Sequence, residues 1–248
     1  MNYIKNERML SLVRDKRIAI VGPSPHLLEN NLGPYIDEYD IVCRINNDIY
    51  PRGYEKDYGS RTDILSWAGD TRYRANFAKN LEVNKEIVKN IEIVFLSTIK
   101  AQHDWKGSVV KNFKSANEDY NLPYDYIGSD NYKMALQEFG VEPNSGQMTA
   151  WMFLQYPIKE LFITGFSFYN QFNKAKDLKA SFYDSDIIYS TTPLPATHNP
   201  LKGHNQAEQK KALINQLYTY SRIIKIDSYL NALLGIEHCN VKKLDKNE

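Results

Sequence analysis

The sequence predicts an α/β fold, a single mostly parallel sheet with helices on both faces. Three observations carry this. Apolar runs such as Ile18-Ala19-Ile20-Val21, Ile64-Leu65-Ser66-Trp67 and Ile93-Val94-Phe95-Leu96 are short and do not alternate with polar residues. Strands of that kind are buried on both faces. The runs alternate with helix-like stretches, as in strand–helix–strand crossovers. Finally, 248 residues can bury one full core, and no repeat or composition shift divides the chain. One domain spanning 1–248 is expected, with a lid-like insertion at about 167–202.

Residues 1–14 are amphipathic, with Ile4, Met9, Leu12 and Val13 on one side, and predict a lead-in helix. Arg17–Val21 is the first strand, stopped by Gly22-Pro23-Ser24-Pro25. Leu27–Ile36 reads as a helix with Asn30-Asn31-Leu32-Gly33-Pro34 as a break in or near it. Asp40–Ile45 is the second strand and ends in Asn46-Asn47-Asp48. After a polar loop, Gly59–Asp63 leads into strand Ile64–Trp67. Residues 71–90 are helix-like, Ile91–Leu96 is a strand, and helices are expected at 105–113 and 131–139.

The turn Asn144-Ser145-Gly146-Gln147 then opens an apolar helix running to Tyr156. Small residues at a helix start leave backbone N–H groups accessible, which suits a phosphate or a nucleotide edge. Strand Leu161–Thr164 follows and ends in Gly165-Phe166. The polar segment 167–202 is too long for an ordinary connection and reads as a lid. A helix at about 204–220, strand Ile223–Asp227 and a short last helix complete the chain. Ligands of such sheets sit outside the carboxyl ends of the strands. Ser24, Asn46, Asp63, Gly165 and the lid are therefore expected at one edge.

Composition excludes several classes. With 31 basic and 30 acidic residues, nothing calls for nucleic acid. The lysines at 242, 243 and 246 alternate with acids and read as a solvated end that is also compatible with an anionic membrane surface. Cys43 and Cys239 match no zinc-ligand spacing and read as free thiols of a reducing compartment. No signal peptide and no membrane span is apparent, so a cytoplasmic protein is expected. The oligomeric state is left open.

Gly22-Pro23-Ser24-Pro25 is not a G-x-G-x-x-G turn, and its prolines remove N–H donors that a pyrophosphate cradle uses. No P-loop is present. Asn46 offers donors and an acceptor to a base or ribose; as a plain turn residue it would mean nothing. His198 and His204 flank the end of the lid and the start of a helix, with Glu208 four residues beyond His204. A helix start favours a neutral histidine able to accept a proton, and Glu208 lies on the same face to orient it. The plain reading is a surface His–Glu pair. No standard metal-ligand set is matched, and no metal or other cofactor is expected.

Ile18–Ser24, then Leu32-Gly33-Pro34-Tyr35-Ile36-Asp37 through Arg44-Ile45-Asn46-Asn47, then Gly53-Tyr54-Glu55-Lys56-Asp57-Tyr58-Gly59-Ser60-Arg61-Thr62, resemble the large sialyl motif of the eukaryotic-type sialyltransferases. Pro143-Asn144-Ser145-Gly146 through Gly165-Phe166 resembles the small motif, and His204 with Glu208 the very small one. Bacterial lipooligosaccharide sialyltransferases look similar too. The resemblance covers residues 17–67 and 143–215. It implies a Rossmann-like, GT-A-type sheet and metal-independent, inverting transfer of a sialic acid, or a related keto-sugar acid such as Kdo, from its CMP ester to a hydroxyl of a glycan acceptor, lipid-linked acceptors included.

The resemblance makes His204 the general base, oriented by Glu208. It puts Gly22, Ser24, Asn46, Asn144, Ser145, Gly146 and Gly165 at the donor. His198, Tyr169, Tyr183 and Tyr189 are offered to the departing phosphate. Two departures stand out. Pro23 falls where the family has asparagine, and the family's bridging cysteines fall near Ile18 and Ile158. Both suit a bacterial or viral relative at the inner face of a membrane. The alternative is a CMP-binding protein that kept the fold without catalysis.

Overall fold

The computed structural model describes residues 3, 5–46, 49, 53–68, 77, 81, 82, 84–97, 108–168 and 206–244. Their strands are β1 (Arg17–Val21), β2 (Ile41–Ile45), β3 (Ile64–Trp67), β4 (Ile93–Leu96), β5 (Tyr124–Tyr126), β6 (Glu160–Thr164), β7 (Ile224–Asp227) and β8 (Val241–Lys242). They form one eight-stranded sheet in the order β5-β4-β3-β2-β1-β6-β7-β8, every neighbouring pair parallel. From β1 the chain steps outward through β2 to β5. It then returns across β1 and builds β6 to β8 on the other side. The reversal falls between β1 and β6, where connections depart to opposite faces and leave a crevice at the carboxyl ends.

The helices are α1 (Glu7–Val13), α2 (Gly33–Asp37), α3 (Glu55–Tyr58), α4 (Lys85–Val88), α5 (Ser108–Ala116), α6 (Ser129–Phe139), α7 (Ser145–Leu154), α8 (Gln206–Thr219) and α9 (Ser228–Leu234). Residues alternate between the faces along β1. Ile18 and Ile20 join a core with Met9, Trp151, Leu213 and Leu230, from α1, α7, α8 and α9. Ala19 and Val21 join Leu27, Ile36, Tyr39 and Phe162 on the other face. A third cluster lies around Trp67, Phe77, Leu96 and Phe113. With helices over both faces, β1 has no solvent side, which is why its sequence does not alternate. No described helix is long and apolar enough to cross a membrane.

Several expectations are corrected. The single helix expected over Leu27–Ile36 is a 3-10 turn at Pro25–Leu27 and the short α2, split where Glu29 and Asn31 take left-handed φ values of 65° and 52°. Strands β5 and β8, of three and two residues, were too short to stand out as apolar runs. Lys242 is not simply solvated: it belongs to β8, and its Nζ lies 4.8 Å from the centroid of the Tyr35 ring. Half of the helix expected at 71–90 and the whole lid core, 169–202, lie outside the described residues.

Candidate functional site

The turn after β1 and the turn after β6 are pressed together at the crevice. Gly22 N–H donates to the Thr164 carbonyl (2.9 Å) and Ser24 N–H to the Gly165 carbonyl (3.1 Å). Gly165 has a φ of 75°, and a Cβ on Gly22 or Gly165 would collide with the carbonyl of the other. Glycine is needed at both for that approach. One consequence is chemical. Prolines at 23 and 25 have no N–H, and the N–H groups of Gly22 and Ser24 are spent on β6, so the backbone of this turn offers only acceptors.

The start of α7 has the opposite character. Asn144 and Gln147 form a capping box: Gln147 N–H donates to Asn144 Oδ1 (2.9 Å) and Asn144 N–H to Gln147 Oε1 (3.4 Å). The N–H groups of Ser145 and Gly146 make no hydrogen bond among the described residues. Two open donors at the positive end of a helix form a place for an anion. Phe166 sets the distance between the two turns. A Cβ on Gly22 would meet its ring at 2.8 Å, and one on Gly146 would meet it at 2.5 Å.

Asn46 stands at the end of β2 with a left-handed φ of 60°, a conformation asparagine tolerates. Its N–H donates to the Ser66 carbonyl (2.6 Å), and its Oδ1 accepts from Ala68 N–H (3.0 Å). The acceptor expected for a base or ribose is thus used internally, while Nδ2 makes no hydrogen bond among the described residues. Asn46 therefore keeps Nδ2 to donate and one further lone pair on Oδ1 to accept. A buried chain connects it to α7. Thr149 Oγ1 donates to the Ser145 carbonyl (2.7 Å), so it accepts from Ser66 Oγ, 2.5 Å away.

Below Asn46, Arg44 is 1% exposed and clamps the 58–62 loop. Its Nε donates to the Arg61 carbonyl (2.9 Å) and Thr62 Oγ1 (3.0 Å), and its Nη2 to the carbonyls of Tyr58 and Gly59 (both 2.9 Å). Arg44 thus ties the Arg-Ile-Asn stretch to the Gly-Tyr-Glu-Lys-Asp-Tyr-Gly-Ser-Arg-Thr stretch.

At the other end, Gln209 is fully buried and joins α8 to the α7 turn. Asn144 Nδ2 donates to its Oε1 (3.4 Å), Gln147 Nε2 to its carbonyl (2.6 Å), and its own Nε2 to the Glu142 carbonyl (3.0 Å). Glu208, expected to orient His204, sits exposed on the same first turn. His204, His198, Tyr169, Tyr183 and Tyr189 lie outside the described residues.

The seven residues expected at the donor therefore meet around the β1–β6 reversal and the start of α7. Asp63 does not join them. It precedes β3 at the amino end, where its Oδ2 accepts from Val42 N–H (2.7 Å) and Arg61 Nη2 (2.8 Å). Burial is the main reason its carboxyl titrates above the usual range.

Sequence reasoning missed a buried chain beneath the β1 turn. His26 Nδ1 lies 2.8 Å from Ser24 Oγ and His26 Nε2 lies 3.3 Å from Asp227 Oδ2. Asp227 also accepts from Thr164 Oγ1 (2.7 Å) and from Leu230 N–H (2.7 Å), capping α9. The His26 ring stacks on Tyr229 at 4.0 Å. Burial opposes ionisation of Asp227. Its bonds to His26, Leu230 N–H and Thr164 outweigh that and hold the carboxyl below its ordinary value. Asp227-Ser228 was legible as a helix cap. Its histidine partner, 201 residues away, was not.

The family described as glycosyltransferase family 29 (sialyltransferase) matches residues 5–137. A stretch of 55 residues is 44% identical to the Homo sapiens CMP-N-acetylneuraminate-beta-1,4-galactoside alpha-2,3-sialyltransferase, covering 22% of this chain and 14% of that protein. A Sus scrofa CMP-N-acetylneuraminate-beta-galactosamide-alpha-2,3-sialyltransferase 1 is 45% identical over 51 residues, 21% of this chain and 15% of that one. The matches thus span about a seventh of these curated relatives. Among solved structures, the Campylobacter jejuni sialyltransferase CstII with cytidine-5'-monophosphate aligns at a TM-score of 0.55 and 18% identity, over 86% of this chain and 80% of that one. A mammalian sialyltransferase with Gal-beta-1-3GalNAc-ortho-nitrophenol aligns at 0.52 and 16%, over 89% and 71%. These likenesses establish the fold.

Proposed function

Because the chain belongs to glycosyltransferase family 29, the sialyltransferases, we propose that it transfers a sialic acid from CMP-sialic acid to a hydroxyl of a glycan, with inversion. The observation that carries this reading is the pair of open N–H groups of Ser145 and Gly146 at the start of α7, by the sheet reversal where such folds bind nucleotides. In the proposed reaction the acceptor oxygen attacks the anomeric carbon and the bond to the phosphate oxygen breaks. CMP leaves with the electron pair, and His204 takes the hydroxyl proton, with Glu208 orienting the imidazole. His198, Tyr169, Tyr183 and Tyr189 supply hydrogen bonds to the departing phosphate in place of a metal.

CMP-Kdo carries the same carboxylate and leaving group and is the second donor to test. Both curated relatives described above are named for galactosides or galactosamides, so a β-galactoside is the first acceptor to offer. A lipid-linked glycan would bring the protein to the inner face of a membrane. The test is transfer from CMP-sialic acid and CMP-Kdo to lactose, followed by mass spectrometry of the product. His204→Ala should abolish transfer yet keep CMP binding. Asn46→Asp keeps the acceptor for Ala68 N–H but replaces the donor by an anion, and should weaken CMP-sialic acid binding about a hundredfold. Protein that neither transfers nor hydrolyses either donor would refute the proposal.

A further inference from the structure

Resting on that reading, we propose that Gln209 is a positioning residue for the donor phosphate: it holds the Asn144 cap on the third amide of α7 and so keeps the second, Gly146 N–H, open. An asparagine before a helix gives its oxygen to either of those two amides. Here Asn144 Oδ1 accepts from the third, Gln147 N–H, at 2.9 Å. The second is within its reach, since a Cβ on Gly146 would lie 3.4 Å from the same oxygen. If the oxygen turned to Gly146, one of the two donors offered to a phosphate would be spent. The far side of the carboxamide decides between them. Asn144 Nδ2 donates to Gln209 Oε1 (3.4 Å), and Gln209 is itself pinned, because its Nε2 donates to the Glu142 carbonyl (3.0 Å).

The other half of the capping box is tied to the same residue. Gln147 Oε1 accepts from Asn144 N–H (3.4 Å), and Gln147 Nε2 donates to the Gln209 carbonyl (2.6 Å). Main-chain groups fix every orientation in this set. A backbone N–H only gives and a carbonyl only takes, so Gln147 N–H turns Asn144 Oδ1 towards itself and the Glu142 carbonyl turns Gln209 Nε2 towards itself. That leaves Asn144 Nδ2 facing Gln209 Oε1, a donor meeting an acceptor. Gln147 and Gln209 are fully buried, where a lost hydrogen bond is costly. Gln209 belongs to α8, 62 residues from Gln147. The seating of α8 thus sets how many N–H groups α7 offers to an anion.

The experiment compares CMP with cytidine, which lacks the phosphate, by calorimetric titration of the full chain. Gln209→Met keeps the length of the side chain and removes both polar atoms. Wild type should bind CMP about a hundredfold more tightly than cytidine. That ratio should fall to about tenfold in Gln209→Met with cytidine affinity unchanged, whereas a general loosening of the structure lowers both affinities alike. Asn144→Gly has no side chain to hold, so adding Gln209→Met to it should leave its ratio as it is. A further arm needs no variant: in NMR of the wild type, CMP should shift the amide signals of Ser145 and Gly146 more than that of Gln147. An unchanged ratio in Gln209→Met, an equal fall in the Asn144→Gly background, or Gln147 as the amide that moves most overturns the inference while leaving the sialyltransferase reading intact. Wild type that fails to prefer CMP over cytidine overturns the anion site of that reading, and the inference with it.

Discussion

Arg44→Met should be costly out of proportion to its apparent conservatism. The side chains are similar in length, and a buried cation is itself expensive, so relief of desolvation favours methionine by about 1–4 kcal/mol. Against that, the guanidinium supplies hydrogen bonds to four oxygens, three of them carbonyls of Tyr58, Gly59 and Arg61. Each buried acceptor left without a donor costs about 1–3 kcal/mol. Thr62 Oγ1 loses least, because its hydroxyl still donates to the Ile49 carbonyl. With three carbonyls orphaned, about 3–9 kcal/mol of loss is set against the relief, and a net loss of about 3 kcal/mol is expected. For a chain of this size that is about 6–12 °C in Tm. Arg44→Lys should lose less, since an ammonium has three donors. Urea denaturation measures the loss. Hydrogen exchange should show the 59–62 backbone and Asn46 N–H loosening first. A loss under about 1 kcal/mol, or exchange unchanged in that loop, would refute the view that Arg44 holds the loop in place.

Two further predictions rest on single contacts. Gly146→Ala gains about 1 kcal/mol of helix propensity, but its Cβ meets the Phe166 ring at 2.5 and 2.7 Å, and overpacking costs about 1–3 kcal/mol. The substitution should therefore destabilise on thermal melting, and turn stabilising in a Phe166→Leu background; stabilisation in the wild-type background would show that Phe166 is no wedge. Asp227 titrates below its ordinary value in the fold, so the unfolded chain takes up its proton first as the pH falls. Its contribution is complete above the unfolded value of about 3.9 and fades as the pH falls through the lower folded value. The Tm difference between wild type and Asp227→Asn should be full near neutral pH and shrink below about pH 4; a difference unchanged down to about pH 2.5 would count against the assignment.

Sheet class and strand positions were legible in the sequence because a strand buried on both faces is apolar along its length, as Ile18–Val21 and Leu161–Ile163 are. The α7 turn was legible for the same local reason. An Asn-x-x-Gln capping box and its open N–H groups are settled within four residues. The short pair β5 and β8 was not, because two or three residues make no pattern of their own and form strands only beside a neighbour. Cap chemistry, glycine turns and hydrophobic period act over a few residues, and the sequence by itself determined what they govern. The tertiary structure alone decided the polarity of the site. One lone pair of Asn46 Oδ1 is taken by Ala68, 22 residues away, and the ring beside Ser24 Oγ, that of His26, meets Asp227, 201 residues further along the chain. Hydrogen bonding is a matter of who sits opposite whom, and the partners of a buried polar atom are set by the sheet order, which no local stretch of sequence contains.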